Sequence, residues 1–134
     1  MTTAVDTSLV VAAFASWHER HEVARRVLDG GVRLVEHCAL ETYSVLTRLP
    51  PPHRVPGGLV RAFLDVRFPQ PFLRLSARAY RTFVSTLAER GVSGGAAYDA
   101  LVAATVANHR ADLVSCDRRA AGIYERYGVK ARLL

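Results

Sequence analysis

The sequence predicts an α/β domain, a three-layer α/β/α arrangement with a mostly parallel sheet and helices on both faces. Two observations carry this. Short apolar, β-branched runs alternate with longer stretches of helical periodicity from one end of the 134 residues to the other. The composition is half hydrophobic and 22% charged, which is ordinary globular material. A chain this long buries roughly two thirds of the surface it exposes when unfolded, so residues 1–134 are read as a single domain.

The elements follow in order. Thr2–Val5 is a first strand that stops at Asp6, and Asp6-Thr7-Ser8 opens an apolar helix through Phe14 with good N-cap chemistry. A helix led by His18 places Val23, Ala24, Val27 and Leu28 inward and closes at Gly30-Gly31. Val32–Val35 is the second strand, followed by a helix over Glu36–Leu46 whose first turns carry Glu41. Leu49–Gly58 holds four of the six prolines and is the one long irregular connection, open as a binding loop or an inert one. Leu59, Val60, Phe63 and Leu64 resume helical spacing. Phe72–Leu75 is a third strand. Ser76 then caps a helix with Ala77, Tyr80, Val84 and Leu87 on one apolar stripe, ended by Gly91. A helix over Gly94–His109 leads to a fourth strand at Asp112–Ser115. A helix through Ala121, Ile123, Tyr124 and Tyr127 follows, and Val129–Leu134 is the fifth strand.

Several tempting motifs fail on their spacing. His18-Glu19-Arg20-His21 sets its histidines three apart, whereas the zinc metalloprotease helix needs them four apart. Gly91-Val92-Ser93-Gly94-Gly95 matches Gly-x-Ser-x-Gly literally, but a helix enters it where a nucleophile elbow needs a strand. Cys38 and Cys116 form no Cys-x-x-Cys and are expected to be reduced core thiols. No apolar run approaches the roughly 18 residues needed to span a bilayer, and no basic, apolar leader is visible, so a cytoplasmic protein is expected.

The net charge is +6, from 18 Lys and Arg against 12 Asp and Glu, and arginine supplies nearly all the positive side. Its planar fork suits phosphate. Asp99 stands against this background as the one charged side chain in a helix apolar nearly all round. Its neighbours at three and four positions, Gly95, Ala96, Val102 and Ala103, cannot pair with a carboxylate. A buried, unpaired carboxylate costs several kcal/mol, so Asp99 must be neutral, meet a distant Arg or Lys, or meet a bound cation.

Asp6, Glu41 and Asp117 each have an innocent reading as a cap or helix-start acid. In an open parallel sheet, however, ligands bind beyond the carboxyl ends of the strands, and all four acids can reach that rim. Carboxylates gathered there repel one another unless a cation offsets them. Oxygen ligands favour a hard divalent ion, magnesium or manganese, which lowers the pKa of its bound water and polarises a phosphoryl oxygen. An acidic hole on a basic body suits a phosphodiester substrate.

Val5-Asp6-Thr7-Ser8, Ala39–Leu49 around Glu41, Tyr98-Asp99-Ala100-Leu101 and Ser115-Cys116-Asp117-Arg118-Arg119, in this order, resemble the PIN-domain family, and within it the VapC toxins of bacterial toxin–antitoxin pairs. The resemblance spans essentially the whole chain. It implies a five-stranded parallel sheet of order 3-2-1-4-5, endoribonuclease activity dependent on Mg2+ or Mn2+, frequent homodimerisation, and an antitoxin partner whose tail enters the acidic groove. Asp6, Glu41, Asp99 and Asp117 match the family's catalytic and metal-binding acids. Ser8 and Ser115 match supporting polar positions, Ser115 keeping a hydroxyl where Thr is commoner. Arg118 and Arg119 are candidates for the RNA backbone. Two other readings remain open at this stage: a non-catalytic basic module binding RNA or a protein, with the acids as caps and ion pairs, and a nuclease acting on DNA.

Overall fold

Alternation along the sequence becomes a layered sheet in the computed structural model, which describes residues Met1–Leu134. Four strands, β1 (Thr3–Val5), β2 (Arg33–Leu34), β3 (Asp112–Ser115) and β4 (Ala131–Leu133), are all parallel and lie in the order β2-β1-β3-β4. Ala4 and Val5 are adjacent in β1 and both fully buried, as are Leu113 and Val114 in β3 within a few per cent. Successive strand residues point to opposite faces, so both faces of the sheet are covered.

Between the strands run α1 (Thr7–Phe14), α2 (His21–Asp29), α3 (Glu36–Thr47), α4 (Gly57–Arg67), α5 (Ala77–Thr86), α6 (Ala96–Asn108) and α7 (Ala121–Arg126). Helix α1 packs on α2 and α3, α3 also on α4 and α6, and α6 on α7. Asp6 caps α1 by accepting from the Leu9 amide at 3.2 Å, and Ser76 caps α5 through Ala79 at 3.1 Å. Gly91 turns the chain after α5 with φ of 68°, a conformation glycine adopts without strain.

Two expectations need correction. The predicted third strand, Phe72–Leu75, occupies its expected edge position next to β2 but is reduced to one parallel bridge between Leu73 and Val35. Leu73 donates to the Leu34 carbonyl at 2.9 Å and accepts from the Glu36 amide at 2.8 Å. Pro71 can donate nothing on one side, and the Ser76 cap starts α5 on the other, so no ladder grows and the sheet has four strands rather than five. The apolar stripe of α5 is also not its buried face. Tyr80 and Val84 are half exposed, while Phe83 is buried in a small cluster with Leu75, Val92 and Ala100.

Candidate active site

Strand register builds the floor of the site. Val5 of β1 pairs with Val114 of β3, so the residues that follow, Asp6 and Ser115, emerge side by side at the carboxyl edge. Asp6 is buried and held from four directions. It accepts from Ser8 Oγ at 2.7 Å and the Leu9 amide at 3.2 Å on one oxygen, and from Ser115 Oγ at 2.6 Å and the Tyr124 hydroxyl at 2.7 Å on the other. A carboxylate offers about four lone-pair positions, so Asp6 is saturated. Burial still pushes its pKa above the usual carboxylate value, the four donors opposing that rise.

The other acids stand around it. Glu41, in the second turn of α3, accepts from Thr7 Oγ1 at 2.5 Å. Asp117, just after β3, takes amide hydrogens from Arg119 and Ala120 at 3.0 and 3.3 Å, which shapes the turn into α7. Asp99, in the first turn of α6, meets the guanidinium of Arg119 at 3.0 Å, and the same guanidinium reaches Asp117 at 3.1 Å. Asp6, Glu41, Asp99 and Asp117 all line one pocket of about 320 Å³, with Ser8 and Arg119 at its wall. Arg118 is exposed beside it.

A cation therefore does meet Asp99, and the chain supplies it. Arg119 lies between two carboxylates as a stand-in ion, yet its side chain is 71% exposed and can swing into solvent. No three His, Cys, Asp or Glu side chains are close enough together to hold a metal ion at once. The cause is visible in the contacts: Asp6 is turned toward hydroxyls, Glu41 toward Thr7, and Asp99 and Asp117 toward Arg119. The donor set, all oxygen with two carboxylates already sharing one positive charge, fits a hard divalent cation in place of the guanidinium. Cys116 lines the pocket too, but burial and the Asp6 charge push its thiol up to about 11, which keeps it protonated and a poor nucleophile at neutral pH. Both cysteines are free.

The model of the PIN domain matches residues 3–126. Ribonuclease VapC40 of Mycobacterium tuberculosis is 50% identical over 131 residues, covering 98% of each chain. This chain belongs to the PIN-domain family, among its VapC-like members. Solved structures agree on the fold. VapC20 of Mycobacterium tuberculosis, a sarcin-ricin loop cleaving toxin, superposes with a TM-score of 0.68 at 19% identity, covering 90% of this chain and 94% of its own. VapBC2 from Rickettsia felis, bound to a DNA fragment from their promoter, gives 0.67 at 14% identity over 100% and 99% of the two chains.

Within this PIN domain the sequence-predicted residues Asp6, Ser8, Glu41, Asp99, Ser115 and Asp117 all come together, and Ser8 and Ser115 lie 3.2 Å apart, each donating to Asp6. Sequence reasoning missed Tyr124 and Thr7. Tyr124 reads as a core aromatic of a short helix, and it is one, 2% exposed. Only the direction of its hydroxyl makes it a partner of Asp6, and burial together with that carboxylate pushes its pKa well up, so it remains a donor. Thr7 reads as part of the helix start, and nothing in its spacing points to Glu41.

Proposed function

We propose that this chain is an endoribonuclease, the toxin of a toxin–antitoxin pair, hydrolysing RNA phosphodiesters with Asp6, Glu41, Asp99 and Asp117 as its catalytic acids and Mg2+ or Mn2+ as cofactor. The observation that carries the reading is the convergence of these acids on one pocket, with a cation already shared by Asp99 and Asp117, on a body of net charge +6. Asp99, Asp117 and Glu41 would hold the ion, and Asp6 would be a fourth ligand if one of its hydroxyl donors turned away. When bound, such an ion lowers the pKa of water and polarises a phosphoryl oxygen.

The chain's own residues do the rest. Ser8 and Ser115 fix the orientation of Asp6. With an ion in place of the guanidinium at Asp99 and Asp117, Arg119 would be free to bind a phosphate of the RNA backbone, and exposed Arg118 offers a second fork. The antitoxin is the expected protein partner, in keeping with the two-component VapBC2, and a second copy of the chain is a further expected partner. No helix is long and apolar enough to cross a membrane. We place the protein in the cytoplasm, with its RNA substrate.

The engagement of every acid by an internal partner favours one rival, a non-catalytic basic module in which the acids only cap and pair. One experiment separates them. Antitoxin-free protein is incubated with total RNA and manganese, alongside Asp6→Asn and Asp99→Asn. Catalysis predicts cleavage that EDTA stops and that each substitution cuts by roughly 100-fold or more. It also predicts a rise in thermal stability of the wild type on adding manganese. Intact RNA and an unchanged melting curve would establish the binding module instead.

A further inference from the structure

Beside the acids lies a pair of aromatic rings that the chemistry above does not use. His37, in the first turn of α3, and Tyr98, in the first turn of α6, stack with centroids 5.2 Å apart and planes 4° apart. Both line the acid pocket. His37 also lines the adjoining groove of about 530 Å³, where Leu40 and Tyr80 stand open to solvent. Tyr98 is 58% exposed and directly precedes Asp99, and His37 is one helical turn ahead of Glu41. The spacing from rings to acids is thus set by two helices and not by a loop.

An offset pair of nearly parallel rings, mounted on two helices with Tyr98 more than half exposed, offers a flat apolar surface that water solvates poorly. Unstacked bases of single-stranded RNA seek such faces, and the sequence-tolerant part of single-strand binding comes from them. The chain's net charge of +6 suits the same ligand.

We propose that the His37–Tyr98 pair is a nucleobase-stacking platform, on which a base adjoining the scissile phosphate continues the stack. The proposal rests on the endoribonuclease reading. Because every base has a π face, the platform positions the strand without naming its sequence, and it admits loops and single strands while excluding bases already stacked in a duplex.

The test uses an oligoribonucleotide carrying one 2-aminopurine, titrated with the full chain in EDTA so that nothing is cut. The platform predicts a fluorescence change on binding that Tyr98→Phe preserves. Tyr98→Leu and His37→Ala should weaken binding on the order of tenfold, with circular dichroism and melting temperature unchanged. A duplex of the same sequence should bind the wild type and Tyr98→Leu equally. Binding by Tyr98→Leu with wild-type affinity and fluorescence would overturn the proposal. So would a wild type that does not bind the single strand, or a Tyr98→Leu variant that changes only its association state in sedimentation, which would give the rings to a second copy of the chain. Failure of the nuclease reading is read separately, as wild type with manganese leaving RNA uncut.

Discussion

Asp6 is a buried carboxylate that the fold surrounds with hydroxyls. Its N-cap role and its place at the strand end are the same fact, because the residue that leaves β1 is the one that must satisfy the first amides of α1. Burial raises its pKa above the ordinary 3.8, so the folded chain holds that proton more tightly than the unfolded one. The sign follows: this contribution to stability is complete below about pH 3.8 and is lost as pH rises through the folded value. Asp6→Asn keeps the size and removes the charge. Urea midpoints of wild type and variant at pH 4 and pH 7, measured in EDTA, should therefore shift in the variant's favour at the higher pH. A difference that is the same at both values would mean that the carboxylate is not penalised by burial.

At the scale of elements, the acids were legible in the sequence because strand ends and helix starts are marked by local chemistry. Asp6 and Asp117 follow apolar runs, and Asp99 is conspicuous in an apolar helix. What was not legible depends on side-chain direction or on edges. Arg119, two positions past Asp117, is an RNA-backbone candidate by sequence, and only the turn that Asp117 shapes sends it back across to Asp99. Leu73 keeps its strand position but not its strand, since Pro71 and Ser76 leave no partners to extend the ladder. The α5 stripe was periodic and still faced outward, because periodicity gives the faces of a helix but not which one the core meets. Arg119 yields a prediction at this scale. The guanidinium end of its ion pairs is exposed although Asp99 and Asp117 are partly buried, so solvent screens the pairs and they are worth about 1 kcal/mol together. Arg119→Gln should lower the melting temperature of the metal-free protein by roughly 2 to 5 °C or less. It should also enlarge the rise produced by manganese, since the ion no longer displaces a guanidinium. A manganese-induced rise no larger than that of the wild type would show that Arg119 and the ion do not compete.

For the molecule as a whole, the decisive contrast is a carboxylate pocket sunk in a surface with six more positive than negative side chains. RNA is drawn by the body and repelled by the hole, so affinity should come from arginines around the pocket while metal or Arg119 neutralises its mouth. Binding of that kind releases counterions from the RNA, and the logarithm of the association constant falls linearly with the logarithm of salt, by about 0.7 for each phosphate neutralised on a single strand. Arg118 is exposed next to Asp117 and has no side-chain ion pair of its own. Replacing it with alanine should weaken binding of a single-stranded oligonucleotide and reduce the salt slope by roughly 0.7, to a similar degree for every sequence. Titrations across a potassium chloride series in EDTA measure both. An unchanged slope would place Arg118 off the RNA path, whereas loss for one sequence only would mean that it reads a base instead of the backbone.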